Sequence, residues 1–169
     1  MMNRRTAIAA FASVASTAAL GFTTFIAPMA EAAAGDPLAI VVAKDSPLSD
    51  IPLYQLKQIF MGANQQTPDG KRFLPLNRGP KTPERVGFDQ HALGMNPDAA
   101  MRFWLDQRTR GLPGSPKAID PAPVLQQLVG KLPGAIAYVR AKEVDASVKV
   151  LKVDGKKPTD AGYALRSLP

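Results

Sequence analysis

Two arginines and a threonine lie close together near the middle of the chain, at Arg78, Thr82 and Arg85. Guanidinium groups donate charge-assisted hydrogen bonds to oxyanions, and a hydroxyl group can donate one more. Asn77 precedes the first arginine and adds an amide donor. The types and spacing of these residues therefore predict a binding site for a small, phosphate-like oxyanion.

The segments around these residues predict a strand, a tight loop and a helix. Residues 73–76 form a short apolar run suited to a buried strand, and residues 77–80 end it with turn-forming types. Thr82 is a suitable N-cap, and Pro83 fits the first position of a helix. Because unpaired amides at a helix N-terminus attract anions, this order of elements supports the predicted site.

Each candidate residue also has a purely structural interpretation. Arg78 could be a surface arginine that follows a strand, and Thr82 could serve only as a helix cap. Arg85 and Lys81 are expected to be solvated charges that raise the local positive field. At this level both interpretations of the site stay open.

The composition limits the kinds of partner. The chain has 169 residues, a formal net charge of +7, one histidine and no cysteine. The lack of cysteine excludes a disulfide, a thiolate metal site and lipid attachment through a thiol, and the lone His91 predicts no metal site. No cofactor is expected. The basic residues are scattered, without a stripe of interleaved aromatics, so a small anion is a better expectation than nucleic acid.

The N-terminus predicts a cleavable signal peptide over residues 1–32. A basic n-region with two arginines precedes the apolar residues 7–27, and small residues at 30–32 suit cleavage. One alternative is a single membrane anchor, since the apolar run is nearly long enough to span a bilayer; another is twin-arginine instead of Sec export. Cleavage would leave a periplasmic domain of residues 33–169 with a net charge of 19 − 13 = +6.

The rest of the chain alternates strands and helices, which is typical of a single α/β domain. The continuous apolar run 37–43 predicts a central strand buried on both faces, and residues 134–139 predict a second buried strand. The alternating residues 148–153 predict an edge or half-exposed strand. The predicted helices begin at Ser49, Thr82, Asn96 and Asp120.

Two of these helices are expected to turn an apolar face toward the core. Residues 156–169 have little periodicity, and we expect them to pack loosely. The residues predicted to face inward are Met101, Trp104 and Leu105 in the helix after Asn96, and Val124, Leu125, Leu128 and Val129 in the helix after Asp120.

Four segments carry a family resemblance. They read VVAKDSPLSDIPLYQLKQIFMG, PDGKRFLPLNR, GFDQHALGMNPDAAMRFWLDQRTRG and VLQQLVGKLPGAIAYV. The patterns L..L..IF.G and PGAI.YV are weak singly and fairly specific as a pair. In this order, over roughly residues 38–153, the segments are similar to short members of the phosphate ABC transporter substrate-binding (PstS-like) periplasmic family.

The resemblance implies a periplasmic-binding-protein fold, in which two α/β lobes close on an oxyanion. The chain is long enough for about one lobe, so we expect a single lobe with a mixed sheet flanked by helices. In the family an Arg and a following Ser-Gly-Thr helix start bind phosphate; Arg78 matches the Arg, and Thr82 stands for the Ser. Pro83 removes a backbone donor and Glu84 adds a carboxylate, and each change is expected to weaken binding by about 1–3 kcal/mol.

The sequence gives no support for catalysis, because it contains no nucleophile elbow, no phosphate-loop motif and no paired-carboxylate signature. The resemblance implies an exported solute-binding protein that binds phosphate or another small oxyanion and works with an ABC permease or other membrane protein. The alternative is a non-catalytic periplasmic interaction module, which kept the fold and binds a membrane-protein partner or an envelope polymer.

Overall fold

The computed structural model describes residues 35–63 and 65–169, so the predicted signal peptide lies outside the described residues. In this part of the chain six strands form one mixed sheet. The strands are β1 Leu38–Ala43, β2 Asp50–Ile51, β3 Leu74–Asn77, β4 Lys117–Ala118, β5 Ala135–Arg140 and β6 Val148–Val153. The helices are α1 Leu53–Phe60, α2 Pro83–Phe88, α3 Pro97–Thr109 and α4 Ala122–Lys131, with a π-helical turn Asp89–Leu93 after α2 and a 3-10 turn Ala141–Glu143 after β5.

The strands lie in the order β2-β6-β1-β5-β3-β4. β1 pairs antiparallel with β5 and β6, whereas β3 pairs parallel with β5 and β4. The short strand β2 pairs parallel with β6 and forms one edge of the sheet. The predicted α/β class, with a mixed sheet flanked by helices, is confirmed.

The strand β1 is buried on both faces, as its continuous apolar run predicted. Leu38, Ile40 and Val42 contribute to a core cluster that contains the buried side chains of α1 and Phe88 of α2. Ala39 and Val41 face the opposite side, where they pack with the buried side chains of α4. Because side chains alternate along a strand, β1 joins two cores through one backbone.

The first helix begins later than the sequence predicted. Ser49 and Asp50 were expected to cap it, but Asp50 belongs to β2, and its carboxylate accepts hydrogen bonds from the amides of Ile51 and Gly155 at 2.9 and 3.1 Å. α1 starts only after Pro52, at Leu53. Pairing of this segment with β6 therefore overrides the local capping signal.

Several residues predicted to face inward are exposed. In α3, Trp104 is buried, but Met101 and Leu105 are 65% and 61% exposed. In α4, Leu125 is fully buried, whereas Val124 is 48% exposed. Leu105 and Val124 each lie next to a buried residue, and successive helical residues are turned by about 100°, so these two side chains point away from the buried face. The apolar residues in α3 spread over more of the helix surface than the core covers.

The C-terminal residues pack closely, contrary to the expected loose tail. Leu165 is fully buried, and its carbonyl accepts a hydrogen bond from the amide of Leu38 at 3.0 Å. The hydroxyl of Tyr163 donates to the carbonyl of Leu38 at 2.8 Å, and the amide of Leu168 donates to the carbonyl of Pro83 at 3.0 Å. The tail therefore holds both the start of β1 and the start of α2.

The half-exposed character predicted for β6 is confirmed by its alternating burial, although β2 and not β6 lies at the edge of the sheet. Within residues 35–63 and 65–169, no helix is both long and apolar enough to span a membrane.

Replacing Gly87 by alanine should destabilise the protein, because a Cβ at this position would lie 2.2 Å from the carbonyl oxygen of Arg166 in the packed tail. We expect Gly87→Ala to lower the free energy of unfolding by about 1–3 kcal/mol or more, measured by urea denaturation. Gly114→Ala is the control, since no atom lies within 4 Å of a Cβ there. Equal stability of the two variants would contradict the close packing of the tail on α2.

Candidate functional site

The predicted strand, loop and helix are present around Arg78. β3 ends at Asn77, and α2 begins at Pro83. Thr82 is the N-cap of α2, and its Oγ1 accepts a hydrogen bond from the amide of Arg85 at 3.2 Å. The loop therefore runs from the end of a strand directly to a helix start.

Arg78 is a buried residue, not a surface arginine, with 8% of its area exposed. Its Nη1 lies 2.6 Å from Oδ1 of Asp120 and 3.4 Å from the carbonyl oxygen of Ile119, both in the loop before α4. Its Nε is buried and has no hydrogen-bond partner among the described residues. Gly79 permits this approach, because a Cβ there would lie 2.3 Å from Oδ2 of Asp120. The guanidinium is thus held in place and keeps an unused donor.

Tyr138 of β5 fixes the backbone beside Arg78. Its hydroxyl donates to Oδ1 of Asn77 at 3.1 Å and accepts from the amide of Arg78 at 3.4 Å. Its ring stacks on Phe88 with a centroid separation of 4.0 Å. Burial raises the pKa of Tyr138, so the phenol stays neutral and remains a donor. Asn77 is 2% exposed, and its side-chain oxygen Oδ1 is occupied by the hydrogen bond from Tyr138.

The hydroxyl of Thr82 is used within the loop. It donates to the carbonyl oxygen of Gly79 at 2.9 Å and accepts from the amide of Arg85. Because a hydroxyl group has one proton, this arrangement leaves Thr82 without a donor for an anion. The structure thus places Thr82 as a cap, and its contact with an anion stays a prediction.

The expectation that Arg85 is solvated is wrong. Arg85 is 7% exposed, and its Nε lies 2.7 Å from Oδ2 of Asp89 one turn later. Burial raises the pKa of Asp89, and the charge and hydrogen bond of Arg85 oppose that rise. The pair lines a cavity of about 570 Å³ whose other walls include Trp104 of α3 and Lys117 of β4. The Arg85 guanidinium is therefore paired with a carboxylate of the π-helical turn that follows α2.

Glu84 is neutralised by an arginine from β5. It is 4% exposed, and its Oε1 lies 2.5 Å from Nε of Arg140. Arg140 also approaches Asp36, whose Oδ2 is 2.7 Å from Nζ of Lys142. The hydrogen bond from Lys142 lowers the pKa of Asp36. The carboxylate at the start of α2 therefore opposes an anion less than its place in the sequence suggested.

Few backbone donors are left at the start of α2. Pro83 has no N–H, the amide of Arg85 bonds the Thr82 side chain, and the amide of Val86 bonds the Thr82 carbonyl. The amide of Glu84 is the first-turn donor with no partner among the residues described here. A ligand at this corner would therefore be held mainly by Arg78.

Sequence reasoning missed two residues that shape the site. The sequence pattern around Asp120 indicates only the start of a helix, and that around Tyr138 only a buried strand. Neither has a local signal that would link it to Arg78, since each lies far along the chain and comes close to Arg78 only in the folded protein. Among the described residues, no three His, Cys, Asp or Glu side chains are grouped so as to hold a metal ion, and His91 is exposed.

Comparison with solved structures shows what this architecture resembles. An ABC-type phosphate transport receptor from Vibrio cholerae superposes with a TM-score of 0.60 at 19% identity, covering 73% of this chain and 48% of that one. A putative phosphate ABC transporter substrate-binding protein with bound phosphate from Clostridium perfringens gives 0.62 at 23% identity, covering 78% and 53%. PstS from Borrelia burgdorferi gives 0.61 at 13% identity, covering 80% and 56%.

The fold is that of the phosphate-transport substrate-binding proteins. The resemblance predicted from the four sequence segments is thereby confirmed at the level of the fold. No family model matches the chain. The chain spans about half the length of these phosphate-transport proteins, which fits the expectation of one lobe.

Removing the Tyr138 hydroxyl should weaken the loop that carries Arg78. Tyr138→Phe leaves the Asn77 carbonyl oxygen and the Arg78 amide buried without this partner, so we expect a loss of about 1–3 kcal/mol in the free energy of unfolding. Chemical denaturation measures the loss. Tyr54→Phe, at a residue that is 68% exposed, is the control and should be nearly neutral. A Tyr138→Phe variant as stable as the control would show that the hydroxyl does not support the loop.

Proposed function

We propose that the protein is an exported substrate-binding protein of the phosphate-transport type that binds phosphate or a similar small oxyanion with low affinity at Arg78. The observation that carries this proposal is the buried Arg78 at the end of β3, directly before the start of α2. It lies in a fold whose Clostridium perfringens neighbour was solved with bound phosphate. Export to the periplasm rests on the predicted signal peptide, and an ABC permease is the proposed membrane partner.

The chemistry of Arg78 suits an oxyanion. A guanidinium offers several N–H donors in a fixed plane, which match the oxygens of phosphate, and a low exposure strengthens each charge-assisted hydrogen bond. One nitrogen of Arg78 is bonded to Asp120, and its Nε is unused. The similar proteins are transport binding proteins, which fits a role without catalysis.

Low affinity follows from the same contacts. Asp120 neutralises part of the Arg78 charge, Thr82 has already used its proton, and Pro83 supplies no amide. Each lost donor or added carboxylate costs about 1–3 kcal/mol, and every 1.4 kcal/mol is about tenfold in affinity. We therefore expect the site to be filled only at high concentrations of phosphate.

A second candidate function is the non-catalytic interaction module. The Arg78–Asp120 ion pair favours this function, because an arginine that is already paired with a carboxylate binds a free anion less strongly. In that case the basic protein would bind a membrane-protein partner or an envelope polymer. Two results together would favour the interaction module. The wild type and an Arg78→Ala variant would both retain the same partner from envelope extract, and titration with phosphate, sulfate or arsenate would give no heat.

Phosphate binding should depend on Arg78. We expect isothermal titration at low salt to detect weak phosphate binding by the wild type and none by Arg78→Ala, while Arg78→Lys keeps the charge but loses the planar fork and should bind about tenfold more weakly. Arg110→Ala is the matched control, because it removes one positive charge from an exposed arginine that directly follows α3. Thermal melting without phosphate checks that each variant is folded. Unchanged binding by folded Arg78→Ala would overturn the proposed site.

Removing the Asp120 charge should strengthen phosphate binding. Asp120→Asn keeps an oxygen near Arg78 but removes the carboxylate charge that competes with the anion. Since the Asp120 side chain is 43% exposed and solvent screens its charge, we expect a gain of about threefold to tenfold in affinity by titration. Asp106→Asn, in the exposed pair with Arg110, should leave the affinity unchanged. Weaker binding by Asp120→Asn would show instead that Asp120 orients Arg78 for the anion.

A further inference from the structure

The outward surface of α3 carries an apolar pair with a charge on each side. Met101 and Leu105 are 65% and 61% exposed, and Asp98 and Arg108 are exposed as well. Steps of three, four and three residues separate these positions, so they lie in one stripe along the helix. We call residues 98, 101, 105 and 108 the α3 stripe. It has an acidic end, an apolar middle and a basic end.

The α3 stripe is not covered by the described part of the chain. Asp106 of α3 and Arg110, the residue directly after the helix, form an ion pair at 3.0 Å. By contrast, no ion pair of Asp98 or Arg108 occurs within residues 35–63 and 65–169. Two adjacent exposed apolar residues with a charge of opposite sign on each side can form a contact with another polypeptide of complementary pattern.

The α3 stripe can pair with the α3 stripe of a second copy that runs in the opposite direction. When a second copy of the helix is turned end for end about the level of Phe103, Asp98 comes level with Arg108 of that copy and Met101 comes level with its Leu105. A two-fold axis makes each of these contacts twice, once from each copy. An antiparallel pair would therefore join apolar to apolar and acidic to basic along the whole stripe.

A hollow beside the stripe offers room for a partner's side chain. It has a volume of about 250 Å³ and is lined by Met101, Trp104, Leu105, Arg108 and Ser115. Helices pack on each other by setting side chains of one into the grooves of the other. An apolar side chain of the facing stripe would fill this hollow.

We propose that the protein self-associates as a two-fold dimer through antiparallel packing of the α3 stripe against the α3 stripe of a second copy. Asp98 and Met101 also line the cavity beside Arg85 and Asp89, but Arg78 does not, and the proposal does not depend on anion binding. A contact made by one helix from each copy is small beside the total of about 1,200–2,000 Å² that stable interfaces bury. The dimer is therefore weak and forms as the protein concentration rises.

Sedimentation velocity of the purified protein over a wide concentration range tests the apolar part of the contact. The wild type should shift from monomer to dimer, and Leu105→Glu should abolish the dimer because it places a charge in the apolar middle. Val124→Glu is the matched control, since Val124 is an exposed apolar residue of α4, 48% exposed, and its variant should dimerise like the wild type. Far-UV circular dichroism and thermal melting check folding.

Charge reversal tests the antiparallel register. Asp98→Arg and Arg108→Asp each place like charges opposite one another at two equivalent positions, and each should weaken dimerisation by about tenfold or more. The double variant restores opposite charges at both positions and should recover most of the wild-type affinity.

Three results would overturn the proposal. The first is a wild-type protein that stays monomeric at every concentration. The second is a dimer that survives Leu105→Glu or that is lost equally in Val124→Glu, which would place the contact elsewhere. The third is a double charge variant that dimerises no better than the single variants, which would exclude the antiparallel register.

Discussion

The hydroxyl of Tyr138 connects the core of the sheet to the arginine loop. The ring of Tyr138 lies in the aromatic cluster with Phe60 and Phe88, so its position is set by packing. The hydroxyl then bonds both Asn77 and the backbone of Arg78. Because a fully buried phenol needs partners for its polar atom, the same residue that fills the core also determines where the loop lies. The geometry around Arg78 thus follows from the packing of β5 on α2.

Carboxylates compensate the arginines around α2. Three ion pairs of the described residues lie here: Arg78–Asp120, Arg85–Asp89 and Arg140–Glu84. Burial of a charged group without a partner is costly, so these pairs are what allow guanidinium groups to lie inside the fold. The positive electrostatic potential at the Arg78 loop is therefore weaker than the net charge of the chain suggests. The loop around Arg78 therefore offers fewer free hydrogen-bond donors than a site in which several donors converge on an anion.

The sequence was sufficient for the parts of the fold that depend on local patterns. The apolar run of β1 predicted a strand buried on both faces, and the Thr82-Pro83 pair predicted the start of α2. It was insufficient where distant segments decide. The strand at Asp50 exists because β6 lies beside it, and the burial of Leu165 depends on β1.

The candidate site divides in the same way. Arg78 was found from its type and its place between a strand and a helix start. Its partner Asp120 was not, because the loop before α4 approaches Arg78 only in the folded sheet. Whether Arg85 is solvated also depends on a contact that the charge pattern alone does not settle, since Asp89 one turn later could have pointed to solvent.

The position of β1 in the sheet has a consequence for how the chain folds. This strand comes first in the described chain, yet its two neighbours are β5 and β6, the last two strands. A chain that emerges N-terminus first therefore carries its most apolar strand without partners until most of the domain has been made, and such distant pairings form slowly. The sheet cannot close early. In the export that we propose for this protein, the central strand would stay unpaired until β5 and β6 have been made.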